Sequence, residues 1–210
     1  MSKPRPPKRE RTRAKLIAAG FRVLADRGDA LTASDVVAEA DVSNGTFYNH
    51  FLDREDFIAT LARESLEAIT LDSAEQTEGA DPAWRFAVAT TRVLQAAVQQ
   101  PLWARAVLRL AERPSPPHAT VQQHLREDLA SGLSAGRFTH GDDPVTVDLV
   151  TGTLISALRR ITADVEAVDD QTIPAVVTRL LEAVGIDRTE AALLADSAGR
   201  EHRASTSEPT

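Results

Sequence analysis

The side chains best suited to recognition chemistry cluster between Thr32 and Phe51: Thr32, Ser34, Ser43, Asn44, Thr46, Tyr48, Asn49 and His50. They are amides, hydroxyls and an imidazole, not a pair of carboxylates or a thiolate. Asparagine can pair bidentately with adenine in a major groove. Hydroxyl and imidazole donors suit phosphate oxygens. Phe47 and Phe51 are four apart, so on a helix they share a face that can anchor inward beside Val36 and Phe21. The opposite face carries Asn44, Gly45, Thr46, Tyr48 and Asn49. Gly45 costs a helix roughly 1 kcal/mol, but it would let the backbone come close to DNA. Arg54, Arg11 and Arg13 are further phosphate candidates. The competing interpretation, a helical hairpin packed in a core, fits poorly with a polar face that contains a glycine.

Catalytic signals are thin. The chain has no cysteine, which removes disulfides, thiolate nucleophiles and cysteine metal sites and suits a reducing cytoplasm. Gly132-Leu-Ser-Ala-Gly136 matches the nucleophile elbow G-x-S-x-G, which requires a strand before it and a helix after it. A helical pattern precedes it here, so a serine hydrolase using Ser134 is a remote alternative and no enzyme is expected. His118 and His124 are six apart and do not align on one helix face, so neither a metal nor another cofactor is expected. No dinucleotide-binding glycine motif or P-loop is present.

The elements that must position the recognition residues are helices. Leu16, Ile17, Phe21 and Leu24 recur at helical spacing from about Glu10 to a stop at Gly28. Thr32-Ala-Ser-Asp35 reads as a capping box opening a short helix through Ala40. Asp41-Val42 makes a turn, and Ser43 caps a second short helix through about His50. Asp53 caps a longer helix with Phe57, Leu61, Leu66 and Ile69 as its apolar positions. Residues 72–81 read as a loop. Pro82 and Pro101 open further helices, 113–117 breaks the chain, and a helix follows to about Ser134. Two strong helices span 144–163 and 172–185, and 187–198 reads as a weak one. No alternating strand pattern or internal repeat appears. The fold class is all-α: a disordered basic arm (1–9), a helix-turn-helix domain (10–55), a helical domain (56–198) and a disordered tail (199–210).

Charge supports an anionic partner for one end only. Residues 1–15 carry seven Lys or Arg against Glu10, in a chain whose formal net charge is -7. A basic arm on an acidic body suits phosphate contacts, although a solubilising tail would look the same. No run approaches a membrane-spanning length of apolar residues, so no membrane partner is expected.

The stretch V-S-N-G-T-F-Y-N-H-F, followed by D-R-E-D-F and preceded by R-x-x-L-I-x-A-G-F-x-V-L-A-D-R-G, resembles the reading region of the TetR family of transcriptional regulators. The likeness is strong over about 10–57. Three positions depart from the family pattern: Asp41 stands where a turn glycine is usual, Val37 where alanine is common, and Asn44 where a basic residue is usual. Aspartate tolerates left-handed backbone better than most residues, so a normal turn is expected.

The resemblance implies a homodimer that binds a palindromic operator in double-stranded DNA, represses transcription, and is released by an unidentified small molecule. A regulator with no small-molecule effector, controlled by a protein or by abundance, is the alternative. The implied effector pocket would draw on Trp84, Phe86, Trp103, Val107 and His124, with Arg92, Arg105 and Arg109 near enough to neutralise an anion. The implied dimer interface would use Val147, Thr151, Leu154, Leu158, Val177, Leu180 and Leu181, with small Gly152, Ser156 and Ala157 allowing close approach. Those same stripes could instead be intramolecular core.

Overall fold

The computed structural model describes residues 7–64, 79–112 and 117–207, side chains of 29, 117–122 and 205–207 excepted. Leu66, Ile69, most of the expected 72–81 loop and most of the 113–117 break lie outside these residues. Among the described residues there are helices and no strand. They are α1 (Lys8–Arg27), α2 (Ala33–Glu39), α3 (Asn44–Tyr48), α4 (54–64), α5 (Pro82–Gln99), α6 (Pro101–Ala111), α7 (Pro117–Ser134), α8 (Pro144–Ala163), α9 (Thr172–Ala183) and α10 (Arg188–Ser207).

Local chemistry explains most of the boundaries. α1 stops because Gly28 turns left-handed at φ 55, its N–H donating back to the Leu24 carbonyl. Asp81 and Asp143 cap α5 and α8, each followed by a proline at the first helical position, where the missing N–H costs nothing. α10 corrects the expected disordered tail: the helix runs on from 199 through Ser207. Its buried residues are mainly small, Ala191, Ala195 and Ala198. They bring α10 close against α9 and α5 without a broad stripe of large side chains.

Two hydrophobic clusters form. One joins α1 to α4 through Leu16, Leu24, Val36, Phe47, Phe57 and Leu61. The other fills the space between α5 and α10 with residues such as Phe86, Leu94, Leu129, Ile161 and Leu181. α6 belongs to both: Ala104 and Leu108 pack in the second cluster, Ala106 and Leu110 in the first. The first core therefore draws on α4 and α6, well past residue 55.

Most of the side chains expected at a dimer interface lie within this chain. Val147, Leu158, Val177, Leu180 and Leu181 are buried in the chain's own core, so they have almost no surface left to offer a partner. Thr151 and Leu154 are half-buried, Leu154 packing on that core and the Thr151 hydroxyl donating to the Val147 carbonyl. The outward face of α8 is instead Val145, Leu149, Gly152 and Ser156, with Val145 73% and Leu149 47% exposed.

Ser134 is the exposed last residue of α7, with no strand before it. The glycines around it have packing roles. A Cβ on Gly132 would lie 2.0 Å from the Phe138 ring, and Gly136 turns left-handed at φ 67. The G-x-S-x-G match is a helix end on which Phe138 folds back, and it gives the hydrolase alternative no support.

Candidate nucleic-acid interface

The recognition segment is built from two caps and a turn. Thr32 Oγ1 accepts from the Asp35 N–H at 3.2 Å, and Asp35 Oδ2 accepts from the Thr32 N–H at 3.1 Å and its hydroxyl at 2.7 Å. Those hydrogen bonds from Thr32, with help from Arg27, hold the Asp35 carboxyl below its usual pKa. Asp41 then takes the left-handed conformation at φ 52, so the expected turn forms without glycine. Ser43 Oγ accepts from the Thr46 N–H at 3.3 Å and lies 2.9 Å from the Thr46 hydroxyl, which starts α3. α3 ends at Tyr48, with Asn49 as its C-cap.

The two faces of this helix separate cleanly. Phe47 and Phe51 are buried and meet Phe57 edge-on, with centroids 5.1 and 4.7 Å away. Asn44, Gly45, Tyr48 and Asn49 are exposed, Tyr48 by 59%. A Cβ on Gly45 would meet only Ser43 Oγ, at 3.9 Å, so its surroundings are open. Ser34 is exposed on α2, whereas the Thr32 hydroxyl is engaged in its cap.

The basic residues divide into two groups. Arg11 is exposed on α1. Arg13 pairs with Glu64 at 2.5 Å and sits 5.8 Å from the centroid of the Phe51 ring. His50 is half-buried; burial pushes its pKa below the ordinary value, and the nearby Arg9 and Arg13 cations add to the effect. Arg9 and Arg13 thus place two cations near a neutral His50 at the end of α3. Composition marks Arg9 only as part of the basic arm, and the fold brings it near His50. Arg54 has a different task as well: its Nε donates to the Leu31 carbonyl at 2.7 Å and it pairs with Glu55. That bond stitches the start of α4 to the loop before α2.

The expected effector residues stand in different surroundings among the described residues. Phe86 is buried in the core, Trp84 and Val107 are half-buried against it, and His124 is exposed on α7. Trp103 borders an apolar groove of about 490 Å³ with Phe21, Leu102 and Gln99. Arg92 is buried, Arg105 is exposed, and Arg109 pairs with Glu112 while its stem lies over Gly28.

A short capped helix with an anchored aromatic face and an exposed amide- and hydroxyl-bearing face is the reading unit of a helix-turn-helix DNA-binding protein. Residues 16–61 match the model of the bacterial regulatory proteins of the tetR family, and residues 81–197 match a tetracyclin repressor-like C-terminal domain. The chain belongs to the TetR family of transcriptional regulators. No curated protein matches it in sequence. Among solved structures it is similar to RolR in complex with resorcinol, at 27% identity and a TM-score of 0.62, covering 90% of this chain and 94% of that one. A gamma-butyrolactone receptor described as ArpA-like shares 23% identity, TM-score 0.62, with 92% and 98% covered. FadR from Bacillus subtilis with stearoyl-CoA shares 18% identity, TM-score 0.66, with 82% and 98% covered, and like the receptor it bears on the fold alone.

Proposed function

We propose that this protein is a homodimeric repressor that reads a palindromic operator with α3 and leaves it when a small molecule binds its helical body. The observation that carries the DNA-reading part is the division of α3: Phe47 is fully buried while Asn44, Tyr48 and Asn49 face outward. Arg9, Arg11, Arg13 and His50 supply the flanking phosphate contacts. A reading head of residues 10–55 sits on a body of residues 56–198, and the setting is the cytoplasm. Among the described residues no helix is long and apolar enough to cross a membrane.

Dimerisation uses the outward face of α8 with α9. An open groove of about 730 Å³ runs between them, lined by Gly152, Ser156, Arg160, Ala175, Val176 and Arg179. Small residues there allow a second copy's helices to approach, and exposed Val145 and Leu149 continue the surface. Two reading heads on a symmetric dimer match half-sites about one helical turn of DNA apart.

Control by a small molecule is supported by the likeness to RolR, which binds resorcinol. α6 is suited to carry the signal because its alternate residues belong to the two cores. A ligand that favours one placement of α6 shifts the reading heads only by its differential affinity for the two arrangements. Footprinting with purified protein on the DNA adjoining its own coding region tests the proposal: one protected palindrome is expected, and uniform coating or no protection overturns it.

A further inference from the structure

Asparagine occurs twice in this chain, and both copies stand on the reading helix: Asn44 at the start of α3 and Asn49 as its C-cap. Their neighbours differ. Asn49 precedes His50, whereas Asn44 precedes Gly45 in the chain's one Asn-Gly pair. The side-chain carbonyl carbon of an asparagine lies within reach of the next residue's peptide nitrogen, and joining the two closes a cyclic imide. A side chain on that next residue crowds the attack, and glycine has none.

The fold leaves this pair open. Asn44 and Gly45 are both exposed, and a Cβ on Gly45 would meet only Ser43 Oγ, at 3.9 Å. Gly45 is in the first turn, where N–H groups have no acceptor within the helix, and the Ser43 cap accepts from Thr46 instead. Ring closure requires Asn44 to leave the helical backbone. α3 is only five residues long, so its own hydrogen bonds hold it weakly, and Gly45 weakens it further. The buried anchor, Phe47, lies beyond the pair. The first turn opens by giving up exposed hydrogen bonds that water replaces: those of Ser43 with Thr46, and that of the Asn49 N–H to the Gly45 carbonyl.

We infer that Asn44-Gly45 is a self-acting modification site whose deamidation silences the reading head. The Gly45 peptide nitrogen attacks Asn44 Cγ, the bond from Cγ to the side-chain nitrogen breaks, and ammonia leaves with the proton that Gly45 gave up. Water then opens the imide at either carbonyl, leaving aspartate or isoaspartate at position 44. Both products put a carboxylate on the face that lies against DNA, where it meets phosphates and base acceptors; this consequence rests on the regulatory reading above. Isoaspartate also lengthens the main chain within the first turn and so disrupts the Ser43 cap. The protein loses its operator with age while its helical body is unchanged.

Ageing the purified full chain in mildly acidic and mildly alkaline buffer, with peptide mapping by mass spectrometry, tests the site. Conversion is expected at Asn44 and not at Asn49, faster in the alkaline buffer because the attacking nitrogen must lose its proton. Gly45→Ala should slow it by about tenfold or more. Affinity for the DNA fragment protected in footprinting should fall in step with conversion. Asn44→Asp reproduces one product, and aspartate suits the first turn of a helix. This variant should melt like the parent yet bind that fragment more weakly by about tenfold or more. Asn44 that stays intact in the folded protein, over the time in which the urea-unfolded chain converts, overturns the site, as does an equal rate in Gly45→Ala. Parental affinity in Asn44→Asp overturns the silencing. Freshly made protein that binds no DNA, yet converts Asn44, overturns the regulator and leaves the modification standing.

Discussion

Phe57 occupies the space that a side chain on Gly20 would need: a Cβ there would lie 2.4 Å from Phe57 Cζ and 2.8 Å from Cε1. This contact locks α1 against α4 at the centre of the aromatic trio that anchors α3. Gly20→Ala is therefore expected to destabilise the protein by about 1–3 kcal/mol through overpacking, although alanine is the better helix former. Urea unfolding measures it, and an unchanged midpoint would show that the ring moves aside freely.

Asp41 sits at φ 52 in the turn before α3. Glycine pays no Cβ penalty there, while a β-branched residue pays more. Asp41→Gly should raise stability by about 0.5–1 kcal/mol and Asp41→Val should lower it by at least about 1 kcal/mol. Thermal unfolding of the pair checks both signs.

His50 gives operator binding a pH dependence. Burial and the cations of Arg9 and Arg13 hold its pKa below 6.5 in the free protein, so neutral imidazole prevails near neutrality. A phosphate beside it favours the protonated form, so binding takes up a proton. Affinity should rise as pH falls from about 8 to about 6, and His50→Gln should flatten that slope. The free protein behaves oppositely. The unfolded chain holds this proton more readily, so the contribution to stability is complete above about pH 6.5 and falls as pH drops toward the native pKa. A slope in DNA affinity that survives His50→Gln would place the proton elsewhere.

The exposed face of α8 and α9 predicts which substitutions make monomers. Leu149→Glu with Val145→Glu, both exposed, should shift sedimentation to the monomer and weaken operator binding by more than about tenfold, with the melting of each protomer little changed. Leu181→Glu should instead unfold the body, because Leu181 is fully buried and an unpaired charge in a core is prohibitive. A parent protein that sediments as a monomer would exclude the dimer.

Much was legible because it was local. The Thr32–Asp35 capping box, the Ser43 cap and the Phe47–Phe51 spacing involve residues three or four apart, so sequence alone specified two short helices with one oily and one polar face. Proline and glycine punctuation likewise marked the starts of α5, α6 and α8 and the end of α1. Periodicity says that Val147, Leu158 and Leu181 seek apolar surroundings, but it does not say whether the same chain or a second copy supplies them. Only the packing of α8 and α9 against α5 and α6 assigned them to the interior and left Val145 and Leu149 outside. Arg54 found its partner at Leu31, and Arg9 came near His50. Each of those meetings joins residues tens of positions apart, and contact at that separation is decided by how helices pack, which no local pattern encodes.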